Sequence, residues 1–230
     1  TIQDGIPFAK YLKSKNVIPG IKVDMGAKPL ALHSNEKVTE GLDGLSQRLE
    51  EYYNLGARFA KWRAVIKIGS GIPSNACIQT NAHALARYAA LCQEASIVPI
   101  VEPEVLMDGD HTIETCHDVS EKSFRSVFEE LAIQGIYLEG MVLKPNMVVS
   151  GIDCIDQAGV EEVADRTVEC LKATVPDDVP GCAFLSGGQS SEDATAHLSK
   201  MNEKYGDSLP WNLTFSYGRA LQALALQTWS

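Results

Sequence analysis

Short apolar runs rich in β-branched residues alternate along the chain with longer segments in which apolar residues recur every three or four positions. Runs of this kind, bounded by Gly, Pro and polar residues, are typical of buried strands, and the longer segments are typical of helices. The runs predicted to be strands are 17–24, 57–66, 96–105, 138–147, 181–188 and 211–218. One strand about every 40 residues leaves room for a helix in each interval, so the pattern predicts right-handed βαβ units around a parallel sheet.

Two of the helical segments also carry signals for where a helix begins or ends. The segment 40–56 stops at Gly56, which is predicted to end its helix in the left-handed conformation. The segment 119–135 is predicted to begin with Ser120 as its N-cap and to stop at a glycine in the same way. Both helices are expected to cover the sheet.

Two architectures contain such units, the doubly wound sheet and the (β/α)8 barrel. A doubly wound sheet normally has a G-x-G-x-x-G turn after its first strand, and "GIKVDMGAK" at 20–28 does not fit that pattern. We therefore predict a TIM (β/α)8 barrel. A barrel needs eight strands and six runs are visible, while "DGIPFAKYLKSKNV" at 4–17 predicts a helix that should follow a strand. The expectation is a single barrel domain over 1–230 with strands three to eight, missing the N-terminal two strands because the sequence is part of a longer chain.

The composition limits the kinds of partner that the protein can be expected to bind and the compartment in which it is expected. The net charge is −10, 45% of the residues are hydrophobic, and no basic stripe suited to nucleic acid is visible. No apolar stretch approaches the ~20 residues that span a bilayer, and the first ten residues lack the features of a signal peptide. We expect a cytoplasmic protein that binds neither nucleic acid nor membrane.

The cysteines and histidines were considered as metal ligands. The six cysteines include no C-x-x-C pair, so free thiols are expected. His111, Cys116 and His117 lie close together in "DGDHTIETCHD" and could bind a metal ion. Their stretch is polar, loop-like and without the ligand spacing of structural zinc sites, so we expect no metal.

Polar or glycine residues follow each predicted strand where it ends. They are Lys22 and Asp24; Lys61 and Arg63; Glu102 and Glu104; Lys144; Ser186, Gly187 and Gly188; and Ser216, Gly218 and Arg219. Because the carboxyl ends of barrel strands meet in one mouth, residues far apart in sequence are expected to share a site there.

Lys144 is the best candidate for a nucleophile. It follows the uncharged "GMVL" and precedes Pro145, which should end the strand. Repulsion among the three lysines at the strand ends would lower the pKa of the most buried one. A neutral lysine attacks a carbonyl to form a Schiff base, and the protonated Schiff base stabilises a neighbouring carbanion.

Glu102 and Glu104 are candidates for proton transfer. A spacing of two puts both carboxylates on one face of a strand, where their repulsion and the lysines would separate their pKa values. One could then act as acid or base while the other stays ionised. The alternative is a structural pair of ion-pair partners, since Pro103 could end the strand and splay them.

The last two strand ends have the features of a phosphate site. "FLSGGQSSEDA" at 184–194 is a Gly-rich turn into a helix with Ser190 or Ser191 as N-cap, and its free N–H groups and helix dipole favour an anion. "FSYGRA" at 215–220 adds Arg219, which can grip phosphate through two parallel hydrogen bonds. Barrels commonly hold phosphate at these strands.

Taken together, these motifs resemble those of the class I fructose-1,6-bisphosphate aldolase family. The stretches that carry the resemblance, in the family's order, are "PGIKVD", "GLDGL", "GARFAKWR", "LARYA", "VPIVEPE", "LEG" with "LKPNM", "FLSGGQS" and "LTFSYGRALQ". The resemblance implies a TIM barrel that assembles as a homotetramer and needs no metal or cofactor. It also implies the glycolytic and gluconeogenic reaction, reversible cleavage of fructose 1,6-bisphosphate to dihydroxyacetone phosphate and glyceraldehyde 3-phosphate.

The resemblance further implies roles for individual residues. Lys144 corresponds to the Schiff-base lysine, Glu102 to the main acid/base with Glu104 beside it, and Lys61 and Arg63 to residues that position substrate and stabilise charge. Lys22, with Asp24 close by, is similar to a lysine near the second phosphate. The phosphate of the ketose half is expected at Ser186, Gly187, Gly218 and Arg219, with Ser216 at the same strand end.

Two parts of the family pattern have no counterpart in this sequence. One is the N-terminal part, whose "ADES" stretch carries a catalytic aspartate and serines for the second phosphate, and the other is a flexible C-terminal tail ending in tyrosine. Two alternatives therefore remain open. One is another Schiff-base barrel, transaldolase-like or a phospho-sugar lyase, for which monophosphates would compete well with bisphosphates. The other is a scaffold protein without turnover.

Overall fold

The computed structural model describes residues 5–229, which form seven helices and eight strands. In chain order these are α1 (Phe8–Ser14), β1 (Gly20–Lys22), β2 (Ala27–Pro29), β3 (Lys37–Thr39), α2 (Leu45–Leu55), β4 (Phe59–Ile66), α3 (Asn75–Glu94), β5 (Val98–Val105), α4 (Ile113–Ile133), β6 (Val142–Leu143), α5 (Val160–Thr174), β7 (Gly181–Phe184), α6 (Ser191–Tyr205), β8 (Asn212–Phe215) and α7 (Arg219–Trp229). Two short 3-10 helices, Leu138–Gly140 and Gly206–Ser208, precede β6 and β8.

Six strands form one parallel sheet in the order β1-β4-β5-β6-β7-β8. Each predicted strand run contains one of these strands, and neighbours in the sheet follow chain order apart from a small hairpin. The carboxyl ends of all six strands therefore lie along one edge of the sheet, as they do in a (β/α)8 barrel.

Helices α3 and α4 cover the central strands because their apolar faces are continuous. The largest fully buried side chains include Trp62 on β4, Tyr88 on α3 and Phe124 on α4. The hydroxyl group of Tyr88 donates to the carbonyl of Ala60 at 2.7 Å and lies 3.2 Å from that of Ile100, so it connects α3 to both central strands. This packing makes β4 and β5 a rigid base for the side chains at their ends.

The helix boundaries confirm some of the predicted signals and correct one. Gly56 (φ 113°) and Gly135 (φ 69°) follow α2 and α4 in the left-handed region, as predicted. The N-cap prediction for Ser120 was wrong, because α4 begins at Ile113 and the side chain of Thr112 accepts the capping hydrogen bond. Ser120 is instead buried inside the helix, where its hydroxyl can bond to another side chain.

Two further differences from the predictions have simple physical reasons. The run 138–147 contains only a two-residue strand, because Pro145 has no N–H for the sheet and Leu138–Gly140 forms a 3-10 turn. The antiparallel pair β2 and β3 was not predicted, since three-residue strands give no readable alternation. The predicted opening helix is present as α1, and its predicted first residue, at position 4, lies outside the described residues.

The prediction of free thiols is confirmed. All six cysteines are free thiols, and burial raises the pKa of Cys77 to about 11 and of Cys92 to about 12, so these thiols stay protonated at neutral pH.

Within residues 5–229, every helix is either too short or too polar to cross a bilayer.

Candidate active site

Glu102 is at the centre of a charged cluster that lies within the sheet. The prediction that Lys61, Arg63 and Glu102 stand at strand ends was wrong, because β4 continues to Ile66 and β5 to Val105. The side chain of Glu102 is 4% exposed, and its two carboxylate oxygens face different lysines: Lys61 Nζ lies 2.8 Å from Oε2, and Lys144 Nζ lies 3.1 Å from Oε1. Lys144 is 12% exposed and Lys61 is 21% exposed, so the cluster is largely shielded from water.

This arrangement differs from the predicted group of mutually repelling ammonium groups. The Glu102 carboxylate lies between the two lysines and offsets their repulsion. Although Lys61 is close, Oε2 of Glu102 has no hydrogen-bond partner among the described residues, because the ammonium approaches outside the hydrogen-bonding direction. Charge holds this carboxylate in place, and one of its lone pairs is free to accept a proton.

Glu104 has a different partner from Glu102. Its Oε2 accepts a hydrogen bond from Nε of Arg63, and this bond is the main reason that the pKa of Arg63 is raised above its usual value. Strand β5 continues through Pro103, so the proline does not splay the two glutamates. Glu104 therefore forms an ion pair with the Arg63 guanidinium, while Glu102 lies in contact with two lysines.

Asp24 joins the end of β1 to β4. Its buried carboxylate accepts hydrogen bonds from the backbone N–H groups of Gly26 (3.1 Å) and Arg63 (3.3 Å), and it pairs with Lys22 Nζ at 2.6 Å. The side chain of Lys22 is 54% exposed. Asp24 is thus fixed in the structure, while Lys22 extends towards solvent beside the cluster.

The segment 186–189 forms a tight turn at the end of β7. Gly187 (φ 63°) and Gly188 (φ 105°) are both in the left-handed region, and the N–H of Gln189 donates to the carbonyl of Ser186 at 3.0 Å. Such a turn needs positive φ at both central positions, which is why two glycines stand there. No residue in the described part of the chain accepts a hydrogen bond from the N–H of Gly187 or Gly188, so both donors are available to an anion.

Arg219 lies next to this turn, at the first position of α7. Ser186, Gly188, Ser190 and Arg219 line one cavity of 290 Å³. Ser190 is the N-cap of α6 and accepts from the N–H of Asp193 at 3.0 Å, which settles the predicted choice between two serines. Ser216 and Gly218 contribute to the same region through backbone bonds: the N–H of Ser216 donates to Phe184, and the Gly218 carbonyl accepts bonds from the first turn of α7.

The turn is also attached to the segment that carries Lys144. The N–H of Leu185 donates to the carbonyl of Pro145 at 3.2 Å, and the side-chain amide of Gln189 lies 3.6 Å from the sulfur of Met147. The glycine turn and the lysine therefore belong to one connected unit.

Asn146, which was not predicted as a site residue, holds two strand ends together. Its Oδ1 accepts from the buried N–H of Val105 at 3.0 Å, and its Nδ2 donates to Ser120 Oγ at 3.0 Å and to the carbonyl of Met147 at 3.1 Å. A buried amide with all these partners fixes the path of the chain just after Lys144. The only signal in the sequence was an asparagine directly after the proline that ends a strand.

We predict that Asn146→Ala destabilises the fold. The substitution leaves the buried N–H of Val105 without an acceptor, which should lower the free energy of unfolding by about 2 to 3 kcal/mol in urea denaturation. The matched control is Asn202→Ala, whose exposed amide bonds mainly to its own helix and should change stability by less than about 0.5 kcal/mol. Equal losses in the two variants would contradict this role for Asn146.

The side chains of the stretch 108–118, in which a metal site was considered, do not come together around one point. Within residues 5–229, no group of three His, Cys, Asp or Glu side chains is placed to hold a metal ion. Cys116 is buried in α4 and its thiol lies 3.9 Å from Ser120 Oγ, while His111 has no hydrogen-bond partner for either ring nitrogen in the described structure.

The fold and the site define an α/β barrel enzyme with lysine and carboxylate side chains on its central strands and a glycine turn with free N–H groups beside them. The family model described as fructose-bisphosphate aldolase class-I matches residues 1–230. The chain therefore belongs to the class I fructose-bisphosphate aldolase family, a family of lyases.

Individual relatives agree with this assignment. The chain is 63% identical over 228 residues to a probable fructose-bisphosphate aldolase class 1 of Xanthomonas campestris, and these residues are 99% of this chain and 68% of that protein. It is 53% identical over 227 residues to a fructose-bisphosphate aldolase of Echinococcus multilocularis, covering 99% of this chain and 62% of the relative. The chain thus spans about two thirds of the length of these relatives.

A solved structure of the family confirms the fold. The chain superimposes with a TM-score of 0.96, at 48% identity, on the fructose-bisphosphate aldolase from Plasmodium falciparum, which was solved in complex with TRAP and a small molecule inhibitor. The match covers 100% of this chain and 66% of the other. The predicted family, the barrel fold and the enzyme class are therefore confirmed, and the family supports the aldol reaction on a fructose bisphosphate.

Proposed function

We propose that Lys144 is the nucleophile of a Schiff-base aldolase and that Glu102 carries its protons. The observation that supports this most directly is the position of Glu102, buried between the ammonium groups of Lys144 and Lys61 at 3.1 and 2.8 Å. A carboxylate in contact with the nucleophile can take up its proton without any rearrangement of the site.

The proposed reaction begins when Glu102 takes a proton from the Lys144 ammonium. The resulting amine attacks the ketose carbonyl, and Glu102 returns the proton to the departing hydroxyl, so water leaves and a protonated Schiff base remains. Glu102 then accepts the proton of the C4 hydroxyl as the C3–C4 bond breaks. The bonding electrons move into the Schiff base to give an enamine, and the aldehyde product leaves. Protonation of the enamine carbon and hydrolysis release the second product and restore Lys144.

Lys61 and Arg63 have supporting roles in this proposal. The Lys61 ammonium lies 2.8 Å from Glu102 and stabilises its carboxylate each time Glu102 has given up the proton. Arg63 is held by Glu104, and its charge faces the same mouth as the exposed Lys22. These cations are suited to the phosphate and hydroxyl groups of the substrate.

The phosphate of the ketose half is assigned to the turn at the end of β7. Gly188, the first residues of α6 and Arg219 line one cavity, and Gly187, whose N–H is also free, directly precedes Gly188 in the turn. Backbone donors, a helix dipole and a guanidinium together are well suited to a phosphate dianion.

The decisive experiment is borohydride reduction of the full-length protein in the presence of dihydroxyacetone phosphate, followed by peptide mass mapping. Reduction converts a Schiff base into a stable secondary amine, so the expected result is one adduct on the peptide that contains Lys144. Omission of borohydride is the control. An adduct confined to Lys61, or no adduct in a protein that cleaves fructose 1,6-bisphosphate, would overturn the assignment.

Arg219→Ala should weaken substrate binding more than it slows chemistry. The guanidinium is at the phosphate cavity and not at the lysine, so we expect KM for fructose 1,6-bisphosphate to rise about 10- to 100-fold while kcat changes much less. The matched control is Arg125→Ala, which removes an exposed arginine paired with Glu121 within α4. A fall in kcat with unchanged KM would place Arg219 in the chemical step instead.

We also propose that the protein works as a homotetramer in the cytoplasm, on sugar phosphates. Family membership supports the sugar-phosphate substrate, the resemblance implies the assembly, and the compartment is the one expected from the sequence.

A further inference from the structure

Behind the phosphate-binding turn, two polar side chains form a short chain of hydrogen bonds. His197, on α6, is buried, and its Nδ1 lies 2.7 Å from Oε1 of Gln189. The other end of that amide, Nε2 of Gln189, donates to the carbonyl of Ser186 at 3.0 Å. The same carbonyl accepts the backbone N–H of Gln189 that closes the turn.

The directions of these hydrogen bonds follow from their partners. The nitrogen of the Gln189 amide must face the Ser186 carbonyl, because a carbonyl can only accept, so its oxygen faces His197. The ring nitrogen Nδ1 of His197 therefore carries a proton and donates it. Burial lowers the pKa of His197, against an opposing effect of Asp193, so the ring is mainly neutral at neutral pH.

Packing does not fix the orientation of the Gln189 amide on its outer side. Gln189 and His197 both line a cavity of 530 Å³ between the start of α5 and the start of α6. An amide next to such a cavity can rotate unless hydrogen bonds at both of its ends hold it. The His197 bond holds the oxygen end of this amide, while the Ser186 carbonyl and the Met147 sulfur contact its nitrogen end.

We infer that His197 and Gln189 are positioning residues, which hold the turn 186–189 in the conformation that presents its free N–H groups to phosphate. This inference rests on the proposed function, because it concerns the phosphate site assigned above. His197 is not expected to touch the substrate, because it lines the 530 Å³ cavity and not the 290 Å³ cavity, whereas Gln189 lines both. The effect of the two residues should appear in the affinity for phosphate groups and not in the chemistry at Lys144.

His197→Ala tests the inference in the full-length protein. Loss of the donor to Gln189 should raise KM for fructose 1,6-bisphosphate about five- to tenfold and leave kcat within about twofold. His197→Asn should restore KM, since the Nδ2 of asparagine stands where Nδ1 of histidine stood and can donate to the same oxygen. Gln189→Glu should raise KM at least as much as His197→Ala, because a carboxylate has no donor for the Ser186 carbonyl.

Three further measurements make the test decisive. His83→Ala removes an exposed histidine paired with Glu130 on the helix surface and should leave KM unchanged. Affinity for inorganic phosphate, measured by calorimetry, should fall in His197→Ala by a similar factor, and this readout requires no turnover. Circular dichroism should show that each variant is folded.

The outcomes separate the two proposals. Wild-type protein that binds phosphate but fails to cleave fructose 1,6-bisphosphate would contradict the proposed function and leave the phosphate measurement valid. Unchanged phosphate affinity in His197→Ala, or a His197→Asn variant as weak as His197→Ala, would overturn the positioning role even in a fully active aldolase.

Discussion

Lys144→Ala should abolish aldol cleavage and leave the protein folded. The variant lacks the amine that forms the Schiff base, so the step that makes an electron sink cannot occur, and turnover should fall by about 10⁴-fold or more. The fold should survive because the Lys144 ammonium pairs only with Glu102 among the described residues, and because its removal leaves no unpaired backbone group. Steady-state assays measure the loss of cleavage, and circular dichroism measures whether the variant is folded.

The matched control for this variant is Lys172→Ala. Lys172 is an exposed lysine near the end of α5, where its ammonium lies over the ring of Tyr205, so its loss should not change turnover. Borohydride trapping should label wild-type protein and Lys172→Ala but not Lys144→Ala. Cleavage at an undiminished rate in Lys144→Ala would refute the proposed nucleophile outright.

Glu102→Gln is expected to have the second largest effect. The amide has the shape of the carboxylate but cannot take a proton from Lys144 or from the C4 hydroxyl, so turnover should fall about 10²- to 10⁴-fold. It also removes the counter-charge between Lys61 and Lys144, whose ammonium groups would then repel each other in a shielded environment. Slower Schiff-base formation, measured by rapid quenching with borohydride, should accompany the loss of turnover.

Glu139→Gln provides the corresponding control, since Glu139 is exposed in the 3-10 turn before β6, at the amino end of that strand. It should behave as wild type in both assays. Turnover within about threefold of wild type in Glu102→Gln would mean that the proton passes through another group, and Glu102 would then be only a counter-ion.

Much of the fold could be predicted from sequence because each strand run is short, apolar and flanked by turn residues. The strand ends could also be predicted to meet, since a parallel sheet brings its carboxyl ends to one edge regardless of sequence distance. The start of α4 was misplaced by eight residues, about two turns, because serine and threonine are both favoured N-caps and the apolar pattern does not distinguish between them.

The pairing of charges within the site could not be predicted from the sequence. A sequence indicates that Lys61, Glu102 and Lys144 belong to successive strand runs, but not that one carboxylate lies between two ammonium groups, since this depends on side-chain conformations and on the register of three strands. Asn146 was missed for a related reason. Its partners, Val105 and Ser120, are distant in sequence and bond to it through one backbone and one side-chain group.

The residues proposed for bond cleavage stand on β4 and β5 and directly after β6, whereas the glycine turn and Arg219 follow β7 and β8. The turn contacts the segment after Lys144 through Leu185 and Gln189, so a substitution at either residue is expected to reach the amine as well. For evolution, this means that the segment after β8, which carries Arg219, is the place where recognition of the phosphate can change with the least effect on the carbon–carbon bond chemistry.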